Sequence, residues 1–140
     1  MPSYEPLIIL RKLGYRDTQP RRLVVAALEH LQSPSSPYDI AQWIEKKKGH
    51  VSPVTIYRIT TLLEDLGIVH RHPCSGLLSL CRLPGSHGVH GYLHCHSCGS
   101  ASEFSSKELS VLARKQAKSR GFVARTPLME IVGTCRLCAS

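Results

Sequence analysis

The sequence predicts an α+β chain, an N-terminal winged helix-turn-helix followed by a small C-terminal α/β domain. Three observations predict it. Helical segments with explicit start and stop signals fill the first half, and two short runs of period two follow them. A cluster of turn formers, Leu83-Pro84-Gly85-Ser86, then interrupts the chain. Beyond it lie two C-x-x-C pairs with mixed strand and helix patterns between them. The expected division is residues 1–83 and 84–140.

Pro6–Leu13 is a short apolar segment ending near Gly14. Thr18 can cap a helix running to about Leu31, with Leu23, Val24, Ala27, Leu28 and Leu31 on one face. Pro34–Pro37 form a turn, and Ser36 caps a helix from Pro37 to about Lys48 that turns Ile40, Ala41 and Ile44 inward and stops at Gly49. Ser52-Pro53 repeats the cap-plus-proline start. The helix after it reaches Leu66, buries Ile56, Ile59, Leu62, Leu63 and Leu66, and stops at Gly67. Ile68–His72 and Leu77–Arg82 then read as a hairpin around Pro73-Cys74-Ser75-Gly76, the wing. In the second half, Gly91–His96 and Ser100–Phe104 are strand-like. Ser105 and Glu108 are spaced as a capping box for a helix to Arg120, ended by Gly121. Phe122–Thr126 and Leu128–Val132 are further strands. This half is too small to be stable without a metal or a partner.

The chain of 140 residues carries 18 Lys and Arg against 10 Asp and Glu, a formal charge of +8. Acidic residues are sparse around Arg11–Arg22, Lys46–Lys48 and Arg71. Nucleic acid is the commonest partner of such a balance, because neutralised phosphates release counterions; a basic surface kept for solubility is the alternative. No stretch approaches the length of a membrane span and no signal peptide opens the chain, so a cytoplasmic protein is expected.

In such a compartment six cysteines read as metal ligands rather than disulfides. Cys95-x-x-Cys98-Gly and Cys135-x-x-Cys138 are the strongest local pattern. In each pair a tight turn after a strand aims both sulfurs at one point, and two such knuckles complete a tetrahedron suited to structural zinc. The long span between the pairs requires the intervening helix to return the chain. Redox dithiols or buried free thiols are the alternative.

The order of these parts resembles the ferric uptake regulator (Fur) family from about Leu10 to Cys138. The resemblance is carried by Thr18-Gln19-Pro20-Arg21, Val54-Thr55-Ile56-Tyr57-Arg58, Leu66-Gly67-Ile68-Val69, Cys95–Gly99 with Glu103-Phe104, Gly121-Phe122 and Gly133-Thr134-Cys135. Each stretch alone is weak, but in this order they are jointly specific. The resemblance implies a C-terminal dimerisation domain, and a homodimer that binds an inverted repeat of double-stranded DNA when metal is present. It implies that Val54–Leu66 is the recognition helix, with Tyr57 and Arg58 at DNA-contacting positions and Arg16 approaching the minor groove. A tyrosine there can meet a thymine methyl; a core or interface aromatic is the alternative. Arg21 and Arg22 would hold phosphates, positioning rather than specifying.

The resemblance is closest to the zinc uptake regulator branch, which implies a second, regulatory zinc held by His70, Cys81, His90 and Glu103. Cys81 stands where the iron-sensing branch carries a carboxylate, and one sulfur, two imidazoles and a carboxylate suit four-coordinate zinc. The departures are also visible. Tyr92 occupies a position that is often histidine in the family, His87 competes with His90, and Gly91 with a histidine-free stretch after Cys98 argues against a further family site. His94 and His96 are expected to face solvent, His30 and His50 to be surface residues, and Cys74, in the wing turn, to be exposed and inert, with a ligand or reactive thiol as the alternative. The expected function is a zinc-responsive transcriptional repressor of zinc-uptake genes. An iron, manganese or peroxide sensor on the same scaffold is the nearest rival. A catalytic zinc with Glu103 as base would need an open ligand position, and a thiol oxidoreductase at Cys95 and Cys98 leaves the distant pair unexplained; no enzyme is expected.

Overall fold

The structure, a computed structural model, describes residues 5–83, 88–125 and 127–140. The chain divides into two compact units, residues 1–71 with 76–81, and residues 72–75 with 82–140. Pro84–His87, which hold most of the expected hinge, the expected boundary and the rival ligand His87, lie outside the described residues.

The first unit contains helices α1 (Pro6–Lys12), α2 (Gln19–His30), α3 (Pro37–Lys46) and α4 (Pro53–Asp65) and strands β1 (Val69–Arg71) and β2 (Leu78–Leu80). Three of the helices start on the hydroxyl caps expected of them, each with a proline in the first turn. A cap of this kind satisfies an N–H that has no partner within the helix. Thr18 accepts from Arg21 N–H at 3.4 Å and Ser52 from Thr55 N–H at 3.3 Å. At Ser36 the arrangement is reciprocal, because its hydroxyl accepts from Asp39 N–H and the Asp39 carboxylate accepts from Ser36 N–H. Gly67 closes α4 with φ +71°, a left-handed conformation that glycine adopts without strain.

One apolar core joins these elements, with Val24, Val25, Leu28, Ile40, Ile44, Ile56, Leu63 and Leu78 among its buried members. Val25 was not on the expected face, while Leu23, Leu31, Ala41, Leu62 and Leu66 are only partly buried. The wing is shorter than the periodicity suggests. β1 and β2 pair antiparallel over Val69↔Leu80, His70↔Ser79 and Arg71↔Leu78. The ladder ends there because Arg71 turns its guanidinium to Gly76 O and Glu64 and Pro73 has no N–H to continue it. Ser35 and Leu78 exchange both backbone hydrogen bonds at 2.8 Å, tying the wing to the start of α3.

The second unit is a three-stranded sheet in the order β4-β3-β5, with β3 (Val89–Cys95), β4 (Ala101–Ser106), β5 (Leu128–Gly133), helix α5 (Lys107–Lys118) and a short α6 (Arg136–Ala139). β3 is central, antiparallel to β4 and parallel to β5. Two expectations are corrected here. The cap of α5 is Ser106, which accepts from Leu109 N–H at 3.2 Å and bonds the Glu108 carboxylate. β4 runs on through Ser105, so the helix starts one residue later. The described part of Phe122–Thr126 is not a strand. Gly121 turns left-handed at φ +68° and sends Phe122 N–H back to Ala117 O, a helix-terminating motif, and no described strand pairs with the segment.

Gly91 is required by its neighbour. It stands opposite Phe104 across the β3–β4 pair, and the Phe104 ring lies over it so closely that a Cβ would enter the ring. Gly91→Ala is therefore expected to lower stability by about 1–3 kcal/mol through overpacking. Urea denaturation of the zinc-loaded protein measures this; an unchanged midpoint would show that the ring can move aside.

Candidate metal centres

The four cysteines of the two knuckles come together in the second unit, with sulfurs within 4.8 Å of one another. Cys95 ends β3, and Gly99, at φ +75°, lets the chain turn so that Gly99 N–H reaches Cys95 O at 2.9 Å. On the other side Cys135 caps α6, and Cys138 N–H returns to Cys135 O at 3.0 Å. Parallel pairing of β3 with β5, which puts Cys95 opposite Gly133, brings the two turns together.

The donor set fits zinc. A tetrahedron with Zn–S of ~2.3 Å requires sulfurs about 3.8 Å apart, and Cys98 Sγ and Cys135 Sγ are 3.9 Å apart. Backbone N–H groups of Cys135 and Cys98 pull the Cys95 thiol down to about 5. Ser100, through hydroxyl and backbone, lowers Cys98. Cys138 is pushed up to about 12 by the three crowded sulfurs beside it, Cys135 first. Four thiolates this close would need a cation to balance them, and without one the crowding keeps the proton on Cys138.

A second group of residues lies on one face of the sheet. His90, Tyr92 and His94 alternate along β3, so they share a face. Tyr92 is opposite Glu103 of β4 on one side and Glu130 of β5 on the other. Each carboxylate reaches diagonally to a histidine. His90 Nδ1 is 2.9 Å from Glu103 Oε1, and His94 Nδ1 is 2.9 Å from Glu130 Oε1. Both carboxylate side chains are almost wholly buried, 3% exposed for Glu103 and 1% for Glu130. Glu103 also accepts from Arg82 N–H at 2.6 Å.

His94 therefore does not face solvent as expected; β5 brings it a buried acid. Burial alone would raise the Glu130 carboxyl, but Cys74 N–H, His94 and the Cys74 thiol outweigh it and hold it below the usual carboxylate range. His72 completes the group, fully buried, with Nδ1 3.6 Å from Glu130 Oε1 and its ring stacked 4.0 Å from Tyr92. Burial holds its pKa below the usual histidine value. Neither His72 nor Glu130 is among the ligands expected from the sequence. Only the crowding of histidines from His72 to His96 pointed toward them.

Of the other expected ligands, His70 lies on β1 and Cys81 directly follows β2. Both are buried, and their donor atoms are within 4.8 Å. Cys81 N–H bonds Ile68 O at 2.8 Å, which sets the thiol at the base of the wing. Tyr57 and Arg58 point outward from the early part of α4, Tyr57 60% exposed. Arg16 is exposed. Arg21 donates to the Arg16 carbonyl and lies over the Tyr15 ring, while Arg22 pairs with Asp17 at 2.7 Å. His30, His50 and His96 are exposed.

The architecture defines a winged-helix regulator that carries a metal-binding domain. A profile of the Ferric uptake regulator family matches residues 12–132. The ferric uptake regulation protein of Brucella abortus biovar 1 (strain 9-941) is 32% identical over 125 residues, 86% of this chain and 84% of its own. The chain belongs to the ferric uptake regulator family, and is a metal-responsive transcription regulator rather than an enzyme. Among solved structures, a zinc uptake regulator complexed with zinc and DNA matches with a TM-score of 0.83 at 22% identity, over 95% of this chain and 89% of its own. Holo XcZur matches with 0.79 at 24% identity, over 94% and 97%.

Proposed function

We propose that this chain is a zinc-responsive, homodimeric DNA-binding repressor of zinc-uptake genes. The observation that carries the choice of metal is the buried Cys81 thiol beside the His70 imidazole at the base of the wing. A thiolate with imidazole selects zinc over iron(II) or manganese(II), which favour nitrogen and oxygen donors at higher coordination number. His90 and Glu103, 2.9 Å apart in the second unit, supply the other two ligands. The four cysteines hold a separate, permanent zinc.

A metal that takes ligands from both units favours one arrangement of them over others. Zinc then changes DNA affinity by population shift, to the extent that it binds one arrangement more tightly. On DNA, Tyr57 and Arg58 of α4 contact bases, Arg16 approaches the minor groove, and Arg21 and Arg22 hold phosphates, supported by the charge of +8. Dimerisation is supported by the opposite face and edge of the small sheet. Leu93 and its register partner Ile131 are half-exposed there, and Val111, Leu112, Phe122 and Val123 are exposed apolar residues of the same unit. No helix among the described residues is long and apolar enough to cross a membrane; a DNA ligand places the protein in the cytoplasm.

DNA fragments selected by the zinc-loaded protein provide the probe. Their affinity for full-length protein is expected to rise with free zinc by about 5–150-fold, the usual range of such coupling. A rise with iron(II) or manganese(II) and none with zinc would replace this reading by the iron- or manganese-responsive one.

A further inference from the structure

The Glu103–His90 pair has a counterpart on the other side of Tyr92. Glu130 and His94 repeat its geometry, a buried carboxylate with Oε1 2.9 Å from an imidazole Nδ1. His72, two residues after His70, adds an imidazole, and the donor atoms of His72, His94 and Glu130 lie within 4.8 Å of one another. Cys74 adds sulfur. Its N–H donates to Glu130 Oε2 at 2.7 Å and its thiol bonds the same carboxylate. All four residues belong to the second unit. A carboxylate with 1% of its side chain exposed is costly to bury unless paired or bound to a cation. Here it is surrounded by neutral-capable donors rather than by Lys or Arg.

We propose that His72, Cys74, His94 and Glu130 form a further zinc site, distinct from the four-cysteine site and from the regulatory site read above. Two imidazoles, one carboxylate and one thiolate make a four-coordinate set that suits zinc and excludes magnesium and calcium, which require oxygen. Cys74 and His72 lie in the wing turn, whereas His94 and Glu130 lie on β3 and β5. Zinc here would clamp the wing turn to the sheet of the second unit. Cys74, outermost of the four and exposed, is the ligand through which the ion enters and leaves.

The test is zinc per chain in the full-length protein, equilibrated at fixed free zinc and measured by mass spectrometry of the metal. Glu130→Gln keeps an acceptor for Cys74 N–H, and His94→Asn changes a partly exposed residue, so between them a folded variant is available. Each is expected to hold one zinc per chain fewer than the wild type. Cys74→Ser should raise the free zinc needed to fill this site by at least tenfold. In the cobalt(II)-loaded protein it should also lower the thiolate-to-metal charge-transfer absorption. Unchanged zinc content in both Glu130→Gln and His94→Asn overturns the site and leaves a hydrogen-bonded cluster. Unchanged affinity and absorption in Cys74→Ser remove the thiol from it. Cys81→Ser separates this proposal from the regulatory reading, because it should remove a different zinc. If Cys81→Ser changes nothing while Glu130→Gln loses one, the regulatory reading fails and this site stands.

Discussion

Cys135→Ser is expected to abolish chelator-resistant zinc and to unfold the second unit while the helices of the first remain. The reason is the uneven distribution of the core. All members of the main apolar cluster belong to the first unit. Among the described residues the buried apolar side chains of the second are Val89, Tyr92 and Cys95. Burying a side chain of this kind is worth about 1.5–3 kcal/mol, which a handful of ordered residues consumes in conformational entropy. Structural zinc in small domains contributes about 10–16 kcal/mol of apparent binding free energy at neutral pH, about as much as the whole stability of an ordinary domain. Zinc content after chelator treatment and thermal melting by circular dichroism are the measurements. Wild-type zinc retention with an unchanged melting profile would mean that three thiolates suffice and that the apolar contacts of this unit are worth more than their area suggests.

How far the sequence could be read depended on whether a signal was local. Thr18, Ser36 and Ser52 start their helices because a hydroxyl cap and a proline act within one turn. The C-x-x-C knuckles are equally local. At Ser105-Ser106 two adjacent hydroxyls offered the same cap, and the length of β4, a property of its pairing with β3, decided for Ser106. Phe122–Thr126 has strand-like composition, but a strand exists only with a neighbour. His94 and Glu130 were invisible together because their meeting depends on β5 lying parallel to β3 with Tyr92 opposite Glu130. No local pattern reports a parallel register across an intervening helix. His72 ends an expected wing strand, where alternation gives no reason for full burial; the Tyr92 ring from β3 covers it.

Substitution at Cys81 is expected to have the largest effect on response with the least effect on fold. Cys81 is buried and its backbone is held by Ile68 O, and serine occupies nearly the same volume, so the hairpin should persist. The hydroxyl does not ionise near neutral pH and is a poor zinc ligand, whereas thiolate is a strong one. Changing a residue that only hydrogen-bonds a metal ligand already costs about 10–100-fold in affinity, and loss of a direct ligand should exceed that. Cys81→Ser should therefore raise the free zinc needed for half-maximal DNA binding by at least about 100-fold, while the four-cysteine zinc and the melting of the first unit stay as in the wild type. Cys81→Asp tests the choice of metal. It replaces sulfur by a carboxylate beside His70, and should move the response from zinc toward iron(II) or manganese(II), since these ions prefer oxygen and nitrogen donors. If Cys81→Ser keeps its full zinc response, Cys81 is only a buried thiol filling the base of the wing. An ion at His70, His90 and Glu103 would then be held by nitrogen and oxygen ligands alone, and selectivity for zinc at that site would lose its chemical basis.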